Sequence, residues 1–298
     1  MLKRPIPIFI VGVQRSGTTW LANIISNHSK IAAIQDERHL GIHESAFFSM
    51  VANSYGDLRD DNEFIKFVGM FSKSDYFIIS GINEDLIFKK RPYTYYEFFK
   101  VFMDCYAEKE NASYWLEKTP AHSLYLEELS EHFPEAKFIA IKRNIIDTIK
   151  STIKRKEYHG FTEKRLKIFR SIYHYLKYYK HIEYFAKKNP ESIKIINYED
   201  LRKSKKKTIN DLCVFLGVKY EDKMLLDKYR MNTSFKYEEE RKKFLAYPDE
   251  WWIRFIFWLF NLFPYHFFRL AYIAERVFKK KKLPGWFYSI IKEKNWEG

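Results

Sequence analysis

The feature that most constrains the fold of this chain is the stretch FIVGVQRSGTTWL, residues 9–21. An apolar, β-branched run leads into a turn bounded by Gly12 and Gly17, and an apolar helix start follows directly. A strand, a glycine-bounded turn and a helix in immediate succession bring backbone N–H groups and a helix N-terminus together, and such loops bind phosphate. The stretch therefore predicts an α/β fold with a phosphate-binding loop.

Three apolar runs predict buried strands, at residues 6–13, 136–143 and 192–200. Helical periodicity separates them, most clearly between residues 162 and 188. Strands that alternate with helices favour a parallel sheet, whose ligands bind at the carboxyl ends of the strands. We therefore predict a P-loop-like, three-layer α/β fold with a central, mostly parallel sheet flanked by helices. Further helices are predicted at residues 18–26, 122–134 and 145–155.

The composition changes after about residue 240 to aromatic-rich helix followed by four consecutive lysines, residues 279–282. We predict one α/β domain over residues 1–240 and a C-terminal, aromatic-rich helical appendage over residues 241–298 that packs on it. Residues 251–282 leave two alternatives open. Their aromatic side chains pack on the α/β core, or they form an interfacial helix pair on an anionic membrane.

The formal net charge is +14, from 52 Lys and Arg against 38 Asp and Glu. Such a charge predicts attraction to a polyanion, such as nucleic acid, an anionic membrane face or a phosphate- or sulfate-bearing compound. No recognition motif for DNA or RNA accompanies it, so a basic nucleic-acid-binding protein is the less favoured alternative. The two cysteines, Cys105 and Cys213, exclude a cysteine metal cluster and favour a reducing, cytoplasmic compartment.

The loop departs from the nucleoside-triphosphate template at one position. Gly12, Gly17 and Thr19 match G-x-x-x-x-G-K-[ST], but Thr18 stands where a lysine would span the β- and γ-phosphates. A cation stands earlier, at Arg15. The loop therefore predicts a phosphate compound other than a triphosphate.

The second predicted strand ends in two cations, Lys142 and Arg143, rather than in the acid that would hold Mg²⁺. An additional arginine without an acidic metal ligand suits a nucleotide that carries an extra phosphate group and no metal ion. A P-loop nucleotide kinase or NTPase needs both the lysine and the acid, so it is the less favoured enzyme alternative.

Three motifs at predicted strand ends carry a resemblance to a known family: RSGTTWL at residues 15–21, RNIIDTIKS at 143–151 and INYEDL at 196–201. They resemble the 5′-phosphosulfate loop, the 3′-phosphate motif R-[DN]-P-x-D-x-x-x-S and the Tyr-Glu-Asp-Leu element of the sulfotransferase superfamily, in its bacterial and Golgi-type branch. Ile145 replaces the proline of the second motif. The resemblance spans roughly residues 5–220. It implies a metal-independent enzyme that uses 3′-phosphoadenosine 5′-phosphosulfate (PAPS) and releases adenosine 3′,5′-bisphosphate.

The same resemblance implies the donor site. Loop amides and hydroxyls, with Arg15, bind the 5′-phosphosulfate, and Arg143 and Ser151 clamp the 3′-phosphate through charge-assisted hydrogen bonds. Trp20 stacks on the adenine, and Tyr198 lies near it. The donor-binding residues implied in this way are Arg15, Ser16, Gly17, Thr18, Thr19, Trp20, Arg143, Ser151 and Tyr198.

WLEKTPAHS, residues 115–123, is similar to the E-K-[TS]-P element of the family. The similarity implies that Lys118 approaches the bridging oxygen and stabilises the leaving group. His122 follows Lys118 by four residues rather than by the two of the cytosolic branch, which disfavours His122 as the catalytic base and leaves it an orienting role. Glu117 has the alternative interpretation of a helix-cap partner.

For the base, the resemblance implies a glutamate after the first helix. Glu44, followed by aromatic residues, is the first candidate, Glu37 the second and Asp36 the third. The predicted function is sulfuryl transfer from PAPS to a hydroxyl or amine of a small-molecule, glycan or lipid-linked acceptor. We expect it in the cytoplasm, with peripheral contact at the inner membrane face through residues 251–282 as the second alternative.

Overall fold

The computed structural model describes residues 4–52, 54–154, 161–226 and 250–278. Its centre is a five-stranded sheet in the order β2-β5-β1-β6-β7, with every pair of neighbours parallel. The predicted parallel α/β architecture is therefore confirmed. The strands are β1 (Ile6–Gly12), β2 (Ile31–Ala33), β5 (Tyr114–Lys118), β6 (Lys137–Lys142) and β7 (Ile193–Asn197), and a short antiparallel pair consists of β3 (Gln35–Asp36) and β4 (Gly41–Ile42).

Helices cover both faces of the sheet. They are α1 (Thr18–Ile25), α2 (Asp61–Phe71), α3 (Asp75–Ser80), α4 (Glu84–Lys90), α5 (Tyr95–Lys109), α6 (Leu126–His132), α7 (Ile145–Lys154), α8 (Phe161–Lys188), α9 (Tyr198–Lys203) and α10 (Lys205–Leu216). Single turns of tighter or wider helix lie at Glu37–His39, Phe47–Val51, Pro120–Leu124 and Asp222–Leu225. Two tail helices follow, Glu250–Asn261 and Tyr265–Phe278.

Successive side chains of the central strand β1 enter different layers. Phe9 and Val11 belong to an aromatic core with α2 to α6, whereas Ile8 and Ile10 belong to an aliphatic core with α1 and α10. This division follows from the two-residue period of a strand, and burial on both faces explains why the run carries no polar side chain. The sheet therefore lies between two layers of helices, which is the predicted three-layer arrangement.

The register of the sheet brings the predicted motifs to one edge. Ile10 of β1 lies opposite Lys118 at the end of β5, and Gly12 lies opposite Ile141 near the end of β6. The loop after β1 therefore opens between Lys118 on one side and the segment after β6 on the other. Such carboxyl-terminal edges are where ligands of parallel sheets bind.

The elements differ from the sequence prediction in several places. The strand predicted over residues 192–200 ends at Asn197, and α9 begins at Tyr198. Strands β2 and β5 were not predicted, because β2 has three residues and β5 ends in Glu117 and Lys118, which are polar yet buried. The helix predicted over residues 122–134 is interrupted at Tyr125, whose φ of −117° and ψ of 11° separate the turn Pro120–Leu124 from α6.

One face of each tail helix packs on α7 and α8. Ile253, Ile256 and Phe268 are buried in a third core with the isoleucines of α7 and α8. This agrees with the first of the two alternatives for the tail. The predicted boundary near residue 240 and the lysines 279–282 lie outside the described residues, so the division into two parts stays a prediction.

We expect the docking of the tail to depend on Phe268, which is fully buried, and not on its neighbour Phe267, which is 40% exposed. Phe268→Ala should lower the free energy of unfolding of the tail by about 3–5 kcal/mol because it leaves a cavity. Phe267→Ala should cost about 1 kcal/mol or less. Limited trypsin digestion at Arg254 and Arg269, together with urea unfolding, measures the difference. Equal effects of the two variants would contradict this packing.

Candidate functional site

The backbone of the loop after β1 has positive φ angles at two glycines and at one arginine. Gly12, Arg15 and Gly17 have φ values of 153°, 69° and 104°, in the region that favours glycine. The carbonyl of Val13 accepts from both donors of Ser16, the N–H at 3.1 Å and the hydroxyl at 2.6 Å. Ser16, predicted to offer its amide to a ligand, therefore uses its donors to close the turn.

The N-terminus of α1 is open to an anion. Gly17 is its N-cap, no side chain caps the helix, and its first turn contains no acid. The first amides of a helix have no partners inside the helix, so they are available to a bound anion. A Cβ on Gly17 would lie 2.7 Å from Cδ2 of Tyr198, so glycine is required for space as well as for conformation.

Arg15, from the phosphate loop, lies beside Arg143 and Ser151, the two residues of the 3′-phosphate motif, whose role stays a prediction. Arg15 Nε donates to Ser151 Oγ at 3.1 Å, and Arg143 Nη1 donates to the carbonyl of Arg15 at 3.2 Å. Tyr175 anchors this arrangement by donating its hydroxyl to the carbonyl of Arg143 at 2.8 Å. The result is a pair of guanidinium groups next to a serine hydroxyl, which suits a phosphate.

Two aromatic rings border the loop. Trp20 and Tyr198 pack edge to face with centroids 5.5 Å apart, and the Arg143 guanidinium lies 4.3 Å from the centroid of the Tyr198 ring. Within the described part of the chain, Trp20 Nε1 and Arg143 Nε are buried polar atoms without a hydrogen-bond partner. Buried donors of this kind normally have acceptors, so their position next to the phosphate loop indicates a ligand.

Lys118 links the loop to a carboxylate. Its Nζ donates to Thr19 Oγ1 at 3.2 Å and to Glu44 Oε1 at 2.6 Å. The Lys118 side chain is 2% exposed, whereas that of Glu44 is 37% exposed. The cation is thus enclosed by the protein, and the carboxylate is the member of the pair that solvent or a substrate can reach.

Glu117 is a fully buried carboxylate at the centre of the site. Its Oε1 accepts from Ser45 Oγ at 2.7 Å and from Thr119 Oγ1 at 2.6 Å, and its Oε2 accepts from His122 Nδ1 at 2.8 Å. Burial alone would raise the pKa of Glu117, but His122 and the two hydroxyls outweigh it and lower that pKa. The interpretation of Glu117 as a helix-cap partner is wrong, because its oxygens accept from these three side chains and the turn Pro120–Leu124 has no side-chain cap.

His122 is fully buried, and both of its ring nitrogens have partners inside the protein. The backbone N–H of Phe48 donates to Nε2 at 3.2 Å, so Nδ1 carries the proton that it donates to Glu117. Thr119 adds a parallel link, since its Oγ1 accepts from the N–H of Ala46 at 3.1 Å. These bonds hold residues 45–48, the segment next to Glu44, against the end of β5.

The other predicted carboxylates lie in a surface turn. Glu37 is exposed, and Asp36 caps that turn by accepting from the N–H of Arg38 at 2.8 Å. Of the three carboxylates considered, Glu44 is therefore the one that the fold brings to Lys118.

Sequence reasoning missed the network of Glu117, Ser45 and Thr119. The only signal was the pair of adjacent charges at the end of an otherwise apolar run, YWLEK, which is typical of a strand end at a functional site. Within the described residues, no group of three or more His, Cys, Asp and Glu side chains forms a metal site, and the predicted metal independence stays a prediction.

We expect Glu117→Gln to lower the free energy of unfolding by about 1–3 kcal/mol. The Gln amide has only one acceptor end, so either the Nδ1–H of His122 or the hydroxyls of Ser45 and Thr119 lose their acceptor. Because the pKa of Glu117 is lowered from 4.5, its contribution is complete above pH 4.5 and is lost as the pH falls below that value. The difference from wild type should therefore shrink in acid. Urea unfolding between pH 7 and pH 3 measures it.

Glu131→Gln, at an exposed glutamate of α6, is the matched control and should change stability by less than about 0.5 kcal/mol. A difference between wild type and Glu117→Gln that is independent of pH, or is no larger than that of the control, would contradict the role given to the buried carboxylate.

The sequence model of the sulfotransferase family matches residues 7–222, well over half of the chain. Among solved structures, the sulfotransferase domain of the Synechococcus PCC 7002 olefin synthase is 17% identical, with 84% of this chain and 88% of that chain covered and a TM-score of 0.48. The sulfotransferase domain from the curacin biosynthetic pathway is 18% identical, with 78% of this chain and 80% of that chain covered and a TM-score of 0.46. The sulfotransferase from Alicyclobacillus acidocaldarius is 19% identical, with 85% of this chain and 96% of that chain covered and a TM-score of 0.43. No curated protein sequence matches the chain.

Proposed function

The chain belongs to the sulfotransferase family, and we propose that it transfers the sulfuryl group of PAPS to a hydroxyl or amine acceptor. The observation that carries the proposal is the double contact of Lys118 Nζ, with Thr19 Oγ1 of the phosphate loop at 3.2 Å and with Glu44 Oε1 at 2.6 Å. One cation thus joins the loop that would hold the donor to a carboxylate that an acceptor can reach.

The residues around the loop fit PAPS. The open N-terminus of α1 and the loop amides suit the 5′-phosphosulfate, and the cluster of Arg15, Arg143 and Ser151 suits a second phosphate beside it. The buried donors Trp20 Nε1 and Arg143 Nε would gain acceptors on a bound nucleotide. We therefore assign donor binding to these groups, with Tyr198 supporting Trp20 and Arg143.

PAPS supplies a sulfuryl group on a phosphate oxygen. In the proposed reaction, Glu44 takes the proton of the acceptor while the acceptor oxygen or nitrogen forms its bond to sulfur. Lys118 donates to the bridging oxygen as its bond to sulfur breaks, which stabilises the charge left on the phosphate. Glu117 and His122 touch neither reactant, and we assign them the positioning of Glu44 and Lys118.

A P-loop kinase or NTPase is disfavoured by the same geometry. Lys118 comes from a neighbouring strand rather than from the loop, and β6 ends in Lys142, with Arg143 after it, where an acidic ligand of Mg²⁺ would be needed.

We expect the protein to bind adenosine 3′,5′-bisphosphate in the presence of EDTA, and Arg143→Ala to weaken that binding by about 10- to 100-fold through loss of charge-assisted hydrogen bonds. Adenosine 5′-monophosphate lacks the 3′-phosphate, so Arg143→Ala should change its affinity far less. Isothermal titration calorimetry measures both. Arg202→Ala, at an exposed arginine of α9, is the control and should bind as wild type does.

Tighter binding of ADP with Mg²⁺ than of the bisphosphate would favour the kinase alternative and contradict the donor assignment. An equal loss of affinity for both adenine nucleotides in Arg143→Ala would contradict a site for the 3′-phosphate beside that arginine.

For catalysis, hydroxyl and amine compounds, sugars and lipid extracts are first screened with radiolabelled PAPS, and the variants are then compared on the first acceptor found. Glu44→Gln should lower kcat by about 10²- to 10⁴-fold because it cannot take the proton. Lys118→Ala should lower kcat by about 10²- to 10³-fold and leave bisphosphate binding largely intact. Glu37→Gln is the matched carboxylate control, and its kcat should equal that of wild type. A fully active Glu44→Gln protein together with an inactive Glu37→Gln protein would move the base to Glu37.

A further inference from the structure

The two tail helices and the turn between them expose many large apolar side chains. Ten of these side chains are between 39 and 73% exposed, and we call this set the outer tail face. On the first helix its members recur three, four or eight residues apart, so they share one side. The outer tail face consists of Trp251, Phe255, Trp258, Leu259, Leu262, Phe263, Phe267, Leu270, Ile273 and Val277.

The opposite side of the same helices is also apolar. Ile253, Ile256 and Phe268 are at most 5% exposed and pack on the core with α7 and α8. A helix that carries apolar side chains on two opposite sides normally buries both of these sides. Here the described residues cover one side only, and an exposed apolar area of this size marks an interaction surface.

The tail carries charges of both signs, and most of them pair with the body of the protein. Glu250 accepts from buried Lys150 at 2.7 Å and Glu275 accepts from buried Lys177 at 2.6 Å, and these two carboxylate side chains are 41 and 42% exposed. The Arg254 side chain is 68% exposed, and the Glu250 carboxylate lies 3.9 Å from it. Arg269 is 45% exposed and lies 3.9 Å from Glu127 of α6, and Arg276 pairs with Glu128 of the same helix. The outward side is therefore mainly apolar, and Arg254 is the most exposed charge on the described part of the tail.

We propose that the outer tail face docks on an anionic lipid bilayer and lies in its interfacial layer. Tryptophans with their rings outward, aliphatic side chains and flanking arginines are the composition of interfacial helices. Within the described residues no helix is both long and apolar enough to cross a bilayer, and helices of 12 and 14 residues reach only about 18–21 Å. The tail helices are therefore suited to lie on the surface of a membrane.

The net charge of the protein favours an anionic lipid surface over a second copy of the chain as the partner of the outer tail face. A formal net charge of +14 opposes self-association through a face that itself carries arginines, and it attracts an anionic leaflet. The four lysines at residues 279–282 follow the second tail helix directly in the sequence and add to the same sign. This proposal rests on the tail alone and does not depend on the sulfuryl-transfer proposal.

The test is co-sedimentation of the full chain with vesicles of phosphatidylcholine, with and without phosphatidylglycerol. Wild type should bind the anionic vesicles, and the bound fraction should fall as salt is raised. The triple variant Trp258→Ser, Leu262→Ser, Leu270→Ser should bind at least about tenfold more weakly. Its substitutions are at side chains that are 59, 63 and 68% exposed, so the fold should be retained.

The matched control replaces three exposed apolar residues elsewhere on the surface, Ile65→Ser, Leu86→Ser and Val214→Ser, and should bind vesicles as wild type does. The double variant Arg254→Glu, Arg269→Glu keeps the apolar face, and it should lose the preference for anionic vesicles. Circular dichroism and thermal unfolding establish that each variant is folded.

Two outcomes would overturn the proposal: wild type that remains in the supernatant with both kinds of vesicle, or a tail variant that binds as tightly as the control. A third is a concentration-dependent dimer in sedimentation velocity that the triple variant loses, because the outer tail face would then be covered by a second copy of the chain.

Discussion

The site depends on one constraint, which is that consecutive residues of β5 bury two charges, the Glu117 carboxylate and the Lys118 ammonium. Glu117 and Lys118 point to opposite faces of the sheet, as the neighbouring Trp115 and Leu116 do in the two cores. Each charge is costly to bury without a partner. Both find partners in one segment, since Glu44 pairs with Lys118 and Ser45 donates to Glu117. That segment therefore wraps around the strand end and is held from both sides.

The aromatic core explains how this segment is kept in place. Phe47 and Phe48 are buried and pack against the rings of α5, and Phe48 also contacts His122 with centroids 5.2 Å apart. They follow Ala46, whose φ of 48° is unfavourable for a residue with a side chain. Burial of two phenylalanines offsets that strain. The many aromatic residues of the chain thus serve the geometry of Glu44 and not only the stability of the core.

The features that could be predicted from the sequence are those that depend on residues close together in the chain. The run from Phe9 to Trp20 forms its strand, turn and helix locally, so the loop and the parallel sheet were predicted correctly. The partners of Glu117 could not be predicted, because Ser45 is 72 residues away in sequence and no spacing links them. Strand β5 escaped prediction for the same reason, since its charged end is explained only by distant partners.

The tail and the proposed donor site share one helix, so neither stands apart from the other. Ser151, which accepts from Arg15, directly follows Lys150, which donates to Glu250 at the start of the tail. The hydrogen bond from Lys150 lowers the pKa of Glu250, so this contact favours the charged form of the carboxylate. The body supplies Lys150 and Lys177 as partners for the two acids of the tail. Glu127 and Glu128 of α6 lie beside two of its arginines, Arg269 and Arg276. Because charges of both signs are paired with the body in this way, the side of the tail that is left toward solvent is the apolar outer tail face.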